Sequence, residues 1–285
     1  MFTLRDIVQP ETLEEAYELL LKQRSNSILG GCAFLRLGSK RIGIGIDLSK
    51  LNLNQITERE SFIEIGAMTS FRDLETNPLL KEAFDGILPK AVGNIIGVQF
   101  RNGVTVGGSV FSKYGFSDLI AALLALDTEI DLYKAGRMPL SEFLQRPLEK
   151  DILTHIRIPK EERRASYQDL RISASDFPVL TVAVSCTGEA WRIVVGARPR
   201  TAQLAAKASE QLSSVLTKVK SETQSGAKIE GMDKGTQDAL EAILDQVIEE
   251  LSFGTNARGT EEYRKAITKV LVKRGITEVL ACKSK

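Results

Sequence analysis

The chain has 285 residues, 43% of them hydrophobic and 26% charged, with a formal net charge of +1. That length accommodates two or three subdomains with real cores, and the near-zero charge supplies no field that would favour nucleic acid or an anionic membrane. No apolar run approaches a membrane span and Met1 to Asp6 lacks a secretory signal pattern, so a cytoplasmic protein is expected.

Thr12-Leu13-Glu14-Glu15 reads as a capping box, with Thr12 as N-cap and Glu15 reaching back. Leu13, Ala16, Tyr17, Leu20 and Leu21 then fall on one helical face. Ser27-Ile28-Leu29 reads as a short strand running into Gly30-Gly31-Cys32-Ala33-Phe34. Strands are expected over 42–48 and 61–65, the second leading into Gly66-Ala67-Met68-Thr69. A short helix starts near Ser70, and Asn77-Pro78 supplies an N-cap followed by proline at the first helical position. Residues 91–97 carry Gly93 and Gly97 without the lysine and hydroxyl of a P-loop, and read as helix end and loop.

The β-branched run Val104-Thr105-Val106 then enters a second pair, Gly107-Gly108, followed by a hydroxyl-rich loop with Ser109, Ser112 and Ser117. The helix from Asp118 to Leu126 is apolar nearly all round, which implies burial on several sides. Strands follow over 128–132 and 152–158, with a turn, strand and short helix between them around Arg137 to Phe143. The charged run 160–164 reads as a solvated connection and a domain boundary. Strands near 164–170, 179–186 and 190–195, then helices near 201–219, 236–251 and 260–274, read as a small α+β domain. Residues 221–235, rich in Ser, Gly, Lys and Glu, are expected to be a mobile loop.

Several chemistries are excluded. Cys32, Cys186 and Cys282 stand far apart with no CxxC pair, which supports neither a zinc site nor an iron–sulfur cluster within the chain. The single histidine, His155, lies in an alternating strand pattern and reads as a solvent-face residue. Gly43-Ile44-Gly45 is followed by Leu48 where a dinucleotide fingerprint needs a third glycine, and there is no GxSxG elbow. What remains is two double-glycine loops of one design. Glycine pairs let a backbone approach a bulky ligand, and open N–H groups suit a diphosphate held from both sides. The same features serve an ordinary tight turn, and the residues alone leave both readings open.

In the order and spacing of these segments the chain resembles the FAD-binding (medium) subunit of the molybdenum hydroxylases, the xanthine dehydrogenase and carbon monoxide dehydrogenase group. The resemblance rests on Ile28-Leu29-Gly30-Gly31, Ile65-Gly66-Ala67-Met68-Thr69, Arg101 to Gly108 and Ser117-Asp118-Leu119. The strand from Ile152 to Pro159, Asp176-Phe177-Pro178-Val179 and Glu262-Tyr263-Arg264 agree with it. It implies an α+β chain with a two-subdomain FAD-binding domain of the vanillyl-alcohol-oxidase type over 1–55 and 56–160. A small C-terminal domain of a three-stranded sheet with helices would follow over 165–285.

By this resemblance Ile28, Leu29, Gly30, Gly31, Cys32, Ala33 and Phe34 would wrap the FAD diphosphate. Thr105, Gly107, Gly108, Ser109 and Ser112 would hold the phosphates and nearby groups, and Asp118, beside Ser117, would accept from a sugar hydroxyl. Ile95 and Ile96 would pack near the adenine, Ile152 and Leu153 against the cofactor, and Gln168 near the flavin. On that basis Gly108→Val is expected to weaken FAD binding far more than stability. The implied partners are a molybdopterin-binding large subunit and a 2Fe–2S small subunit. Electrons would pass singly from the cluster to FAD and then to NAD or another acceptor, with no catalytic side chain in this subunit. Relatives usually continue Thr-Asp after the first glycines and Asn after the second pair, where this chain has Cys32-Ala33 and Ser109. Two other readings stay open: a scaffold subunit that has lost FAD, and a free-standing FAD oxidase.

Overall fold

The structure, a computed structural model, describes residues 1–222 and 233–281. Of the expected mobile loop at 221–235, residues 223–232 lie outside the described residues, as does Cys282, whereas Ser221 and Glu222 end one helix and Lys234 and Gly235 begin the next. In chain order come β1 (Thr3–Val8), α1 (Leu13–Lys22), β2 (Ser27–Leu29), β3 (Arg41–Asp47), β4 (Ile56–Glu58) and β5 (Phe62–Gly66). Six short helices follow: α2 (Phe71–Thr76), α3 (Pro78–Glu82), α4 (Ile87–Gly93), α5 (Val98–Gly103), α6 (Val106–Phe111) and α7 (Asp118–Ala125). Next are β6 (Glu129–Leu132), β7 (Gly136–Pro139), α8 (Leu140–Gln145) and β8 (Leu153–Pro159). The chain continues through β9 (Arg163–Leu170), β10 (Leu180–Thr187), β11 (Ala190–Gly196) and β12 (Gln203–Leu204) to α9 (Ala206–Glu222), α10 (Lys234–Glu250) and α11 (Glu261–Ala281). Among the described residues no helix is long and apolar enough to cross a membrane.

By its internal contacts the chain forms two compact units. The first comprises Met1–Asn77, Ile95–Lys113 and Asp127–Lys160; the second comprises Pro78–Asn94, Tyr114–Leu126 and Glu161–Lys285.

The first unit carries a parallel sheet, β1-β3-β2, and an antiparallel sheet, β4-β5-β8-β6-β7. Thr12 caps α1 through Glu15 N, but the Glu15 carboxylate reaches past Thr12 to the amide of Glu11. Ala16 and Leu20 bury with Ile46, Leu48, Leu53 and Ile152. Leu21, expected on the same face, is 52% exposed because it lies one residue around the helix from Leu20. β1 has no clear signal in the sequence: as an edge strand it leaves Ile7 exposed and breaks the alternation. In the antiparallel sheet Ile63, Ile65, Ile130, Ile156 and Ile158 face the core. On the other face an ion-pair ladder runs Arg59–Glu64–Arg157–Asp131–Arg137, and His155 sits half-buried beside it.

The second unit is built on an antiparallel sheet, β12-β11-β10-β9. The short β12 adds a fourth strand to the expected three by pairing Gln203 and Leu204 with Val195 and Val194. Alternation along β10 sends Leu180, Val182, Val184 and Cys186 into one core with residues of α9, α10 and α11. Beyond the reach of β12, the edge of β11 is closed by α9: Ser209 Oγ accepts from Ile193 N and Ser213 Oγ from Trp191 N, both at 2.9 Å. Helix α7 is buried all round, as its composition predicts. Its last carbonyls are taken within this unit: Arg163 Nη1 and Ser185 Oγ donate to Ala125 O at 2.8 and 2.5 Å, and Arg192 Nη2 to Leu124 O at 3.1 Å. Arg163 therefore does not belong to a solvated connection; it is buried and opens β9.

Candidate functional site

The first glycine loop leaves β2 and bends sharply. Gly31 has φ +69° and Cys32 has φ +56°, so two successive residues hold left-handed backbone. For Gly31 this conformation is free, whereas for Cys32 it costs about 1–2 kcal/mol, a strain that the surrounding structure must hold in place. A 3-10 turn at Leu35–Leu37 closes the loop, with Arg36 N donating to Cys32 O. Among the described residues the amides of Gly31, Cys32 and Ala33 meet no protein acceptor. Cys32 is half-exposed rather than the buried filler that is the commoner role of a lone cysteine. Burial pushes its thiol pKa up, while the nearby Arg36 charge opposes the push.

The second loop differs from its expected form. Val104-Thr105-Val106 does not lead a strand into a turn: Thr105 is the N-cap of α6, and Gly107 and Gly108 occupy its first turn. Neither glycine has a positive φ. Their lack of a side chain answers to close packing instead. A Cβ on Gly107 would lie 2.7 Å from Ala67 Cβ and 2.9 Å from Ala67 O. A Cβ on Gly108 would lie 2.6 Å from Gly30 O and 3.0 Å from Thr105 Oγ1. From the other side, a Cβ on Gly30 would lie 2.9 Å from Thr105 Oγ1, and one on Gly31 would lie 1.6 Å from Gly103 O. The two glycine loops thus touch backbone to backbone.

The amides at the start of α6 are all committed. Val106 N donates to Thr69 O at 2.9 Å and Gly107 N to Ala67 O at 2.7 Å. Gly108 N donates to Thr105 Oγ1 at 3.2 Å and Ser109 N to Thr105 O at 3.1 Å. Ser112 Oγ donates to Gly108 O at 2.6 Å, an i−4 bond within the same short helix. Ala67 and Thr69 are therefore supporting residues that the glycine pattern does not assign, although Gly66-Ala67-Met68-Thr69 is visible as a motif. Gly66 lets this segment pass close to Leu53, whose carbonyl oxygen would be 2.1 Å from a Cβ.

The remaining site residues fall in varied surroundings. Ile95 belongs to a turn held by Arg101, which is buried; its Nη1 donates to Ile95 O at 2.5 Å and its Nε and Nη2 grip Glu75 at 2.8 and 3.1 Å. That pairing holds the Glu75 carboxyl below its ordinary range. Ile96 is 50% exposed. Ile152 and Leu153 are buried, and Ile152 is part of the core around α1. In the second unit Ser117 caps α7, accepting from Ile120 N. Asp118 Oδ1 accepts from Tyr167 OH and Arg171 Nη2, both at 2.5 Å. Burial raises the Asp118 pKa, with Arg171 pulling against it. Gln168 lies on the other face of β9 from Tyr167, where its Nε2 donates to Glu278 of α11 at 2.6 Å.

A loop with open backbone donors, set against a glycine-bearing helix start, fits a diphosphate-bearing cofactor. Its donors are main-chain groups, which the Cys32 and Ala33 side chains leave intact.

Comparison with known proteins agrees with this geometry. A family model described as the FAD binding domain in molybdopterin dehydrogenase matches residues 2–161, and the CO dehydrogenase flavoprotein C-terminal domain matches 165–279. The chain belongs to this family of FAD-binding subunits, which are flavoproteins of the molybdenum hydroxylase class of oxidoreductases. It is similar to the carbon monoxide dehydrogenase medium chain of Hydrogenophaga pseudoflava, at 24% identity over 95% of this chain and 96% of that one. It is also similar to the glyceraldehyde dehydrogenase medium chain of Sulfolobus acidocaldarius, at 23% identity over 95% and 97%. The fold matches a solved carbon monoxide dehydrogenase from Hydrogenophaga pseudoflava with a TM-score of 0.82, 23% identity and 99% of each chain covered. Quinoline 2-oxidoreductase from Pseudomonas putida 86 shares it at a TM-score of 0.78 and 19% identity, over 98% of this chain and 96% of that one.

Proposed function

We propose that this chain is the electron-transfer subunit of a molybdenum hydroxylase complex. It would dock a molybdopterin-binding large subunit and a 2Fe–2S small subunit, and relay electrons from the small subunit to NAD or another acceptor. The near full-length similarity to medium chains of carbon monoxide and glyceraldehyde dehydrogenases supports this reading. The single observation that carries the chemistry is the loop at Gly31 to Ala33, with amide donors that no protein group takes up among the described residues. FAD, when bound, supplies the redox couple that joins one-electron and two-electron partners. The residues of this chain bind and orient it, and no side chain of this subunit is required as acid or base.

Substitution at Cys32, Ala33 and Ser109 favours a second reading, a scaffold that docks the same partners without flavin. Purification of the chain with its untagged partners separates the two. Flavin absorbance at about 450 nm, bleached when the complex is given reductant through its partners, is expected of the relay. Partners retained with no flavin absorbance, even after reconstitution with FAD, would establish the scaffold.

A further inference from the structure

Positive charge collects where α1 ends. Lys22 closes the helix, Arg24 follows in the turn at 23–27, and both are exposed. The start of β3 lies against that turn: Lys40 Nζ donates to Ser27 Oγ at 3.4 Å and Gly43 N to Ser25 O at 3.2 Å. A Cβ on Gly43 would stand 2.7 Å from Ser25 Oγ, so the approach is close, and it brings the exposed Lys40 and Arg41 to the same turn. Lys150, ahead of β8, reaches it too, and its Nζ donates to Leu20 O and Gln23 O, both at 2.6 Å. Burial, and then the charges of Lys40 and Arg24, push the Lys150 pKa down. Among the described residues none of these five cations has a carboxylate partner, although Glu18 and Glu149 are close in sequence.

The chain holds 38 basic and 37 acidic residues, and elsewhere in this unit the signs alternate, as in the ladder across the antiparallel sheet. Five cations gathered on one turn are a local exception and repel one another. Lys150 serves the fold, because it takes carbonyls left open at the end of α1. Arg24 and Arg41 make no side-chain hydrogen bond among the described residues, and Lys40 makes only the contact to Ser27. We propose that this patch is a docking surface for a carboxylate-rich face of a partner subunit. Arg24, Lys40 and Arg41 supply the charge, and Lys150 is a positioning residue that holds the turn displaying them. Leu21, 52% exposed and next to Lys22 in the last turn of α1, adds an apolar contact. A net charge of +1 gives no long-range pull on a nucleic acid or an anionic membrane, whereas a protein face of opposite sign fits a patch this small and is steered by it.

The docking surface presupposes that this chain is a subunit of a complex, and one experiment separates the two. The tagged full chain and its Arg24→Gln/Lys40→Gln/Arg41→Gln variant are each co-expressed with the untagged partner subunits and purified. Wild type is expected to retain its partners at about 0.1 M salt and to release them progressively towards about 0.5 M. The variant should retain at least about threefold less partner at about 0.1 M salt. Its Tm as an isolated chain should be unchanged or raised, because repulsion is relieved. Arg24→Lys/Arg41→Lys, which keeps the charges, should assemble as wild type. So should Lys81→Gln/Lys207→Gln/Lys234→Gln, which removes three exposed cations on other helices. Normal assembly of the first variant, or an equal loss in the last, overturns the docking surface. A lower Tm also overturns it, because the cations would then serve the fold. Normal assembly together with lost binding of the isolated chain to phosphatidylserine vesicles would assign the patch to a membrane and likewise overturn it. Wild type that retains no partner at any salt overturns the complex reading, and the docking surface with it.

Discussion

Gly108→Ala separates a glycine that serves the cofactor from one that serves the fold. The new Cβ would stand 2.6 Å from Gly30 O and 3.0 Å from Thr105 Oγ1. Ordinary contact requires the loops to part by roughly 0.8 Å. Both obstacles are the backbone or short side chains of packed segments, so neither can swing away cheaply. Overpacking of this kind costs about 1–3 kcal/mol, offset by about 0.5–1 kcal/mol from the better helix propensity of alanine. A net loss of ~1–2 kcal/mol corresponds to a fall in Tm of about 2–8 °C for a chain of this size. The assay is thermal unfolding of the FAD-free chain, with Gly93→Ala as control, since a Cβ on Gly93 meets nothing within 4 Å. The control should leave Tm unchanged or slightly raised. Wild-type Tm for Gly108→Ala together with loss of FAD binding would refute the reasoning, because the space would then belong to the cofactor. This reverses the expectation from sequence that binding suffers more than stability.

Cys32→Gly should relieve the left-handed strain and raise stability by up to about 1 kcal/mol after the entropy of glycine is counted, with FAD affinity by fluorescence titration within about twofold of wild type. Ser209→Ala should cost about 1–3 kcal/mol in denaturant unfolding, because Ile193 N–H loses its acceptor in a buried setting; Ser213→Ala, at the partly buried Trp191 N–H, should cost less. Burial depresses the His155 pKa below its ordinary value of 6.5. The unfolded chain then binds the proton first, so His155 contributes a loss of stability as pH falls from 6.5 through the folded pKa and none above. NMR titration of the ring, and a flatter stability profile over that window in His155→Gln, check the sign.

The double glycines, the cap at Thr12, the helix starts at Ser70 and after Ser117, and the apolar helix at Asp118 to Leu126 are legible in the sequence, whereas the cap at Thr105 is hidden in a β-branched run. They are legible because a cap or a hydrophobic period is written within a few residues. Gln168 shows the limit: the period of a strand reveals that it alternates with Tyr167, but not which face meets α11 and which meets α7. Likewise Leu21 lies near the apolar stripe of α1 and yet faces solvent.

By itself the sequence determined that two glycine loops exist and which family carries such loops, and it left open whether each is a ligand loop or an ordinary tight turn. Only the tertiary structure decided which of their amides have protein acceptors. Whether an amide is open depends on where its acceptor lies, and the acceptors at Ala67 and Thr69 are far from α6 along the chain but adjacent in space. Gly107-Gly108 therefore reads like a phosphate loop in one dimension and packs against Ala67 and Gly30 in three, while among the described residues the amides of Gly31, Cys32 and Ala33 meet no protein acceptor.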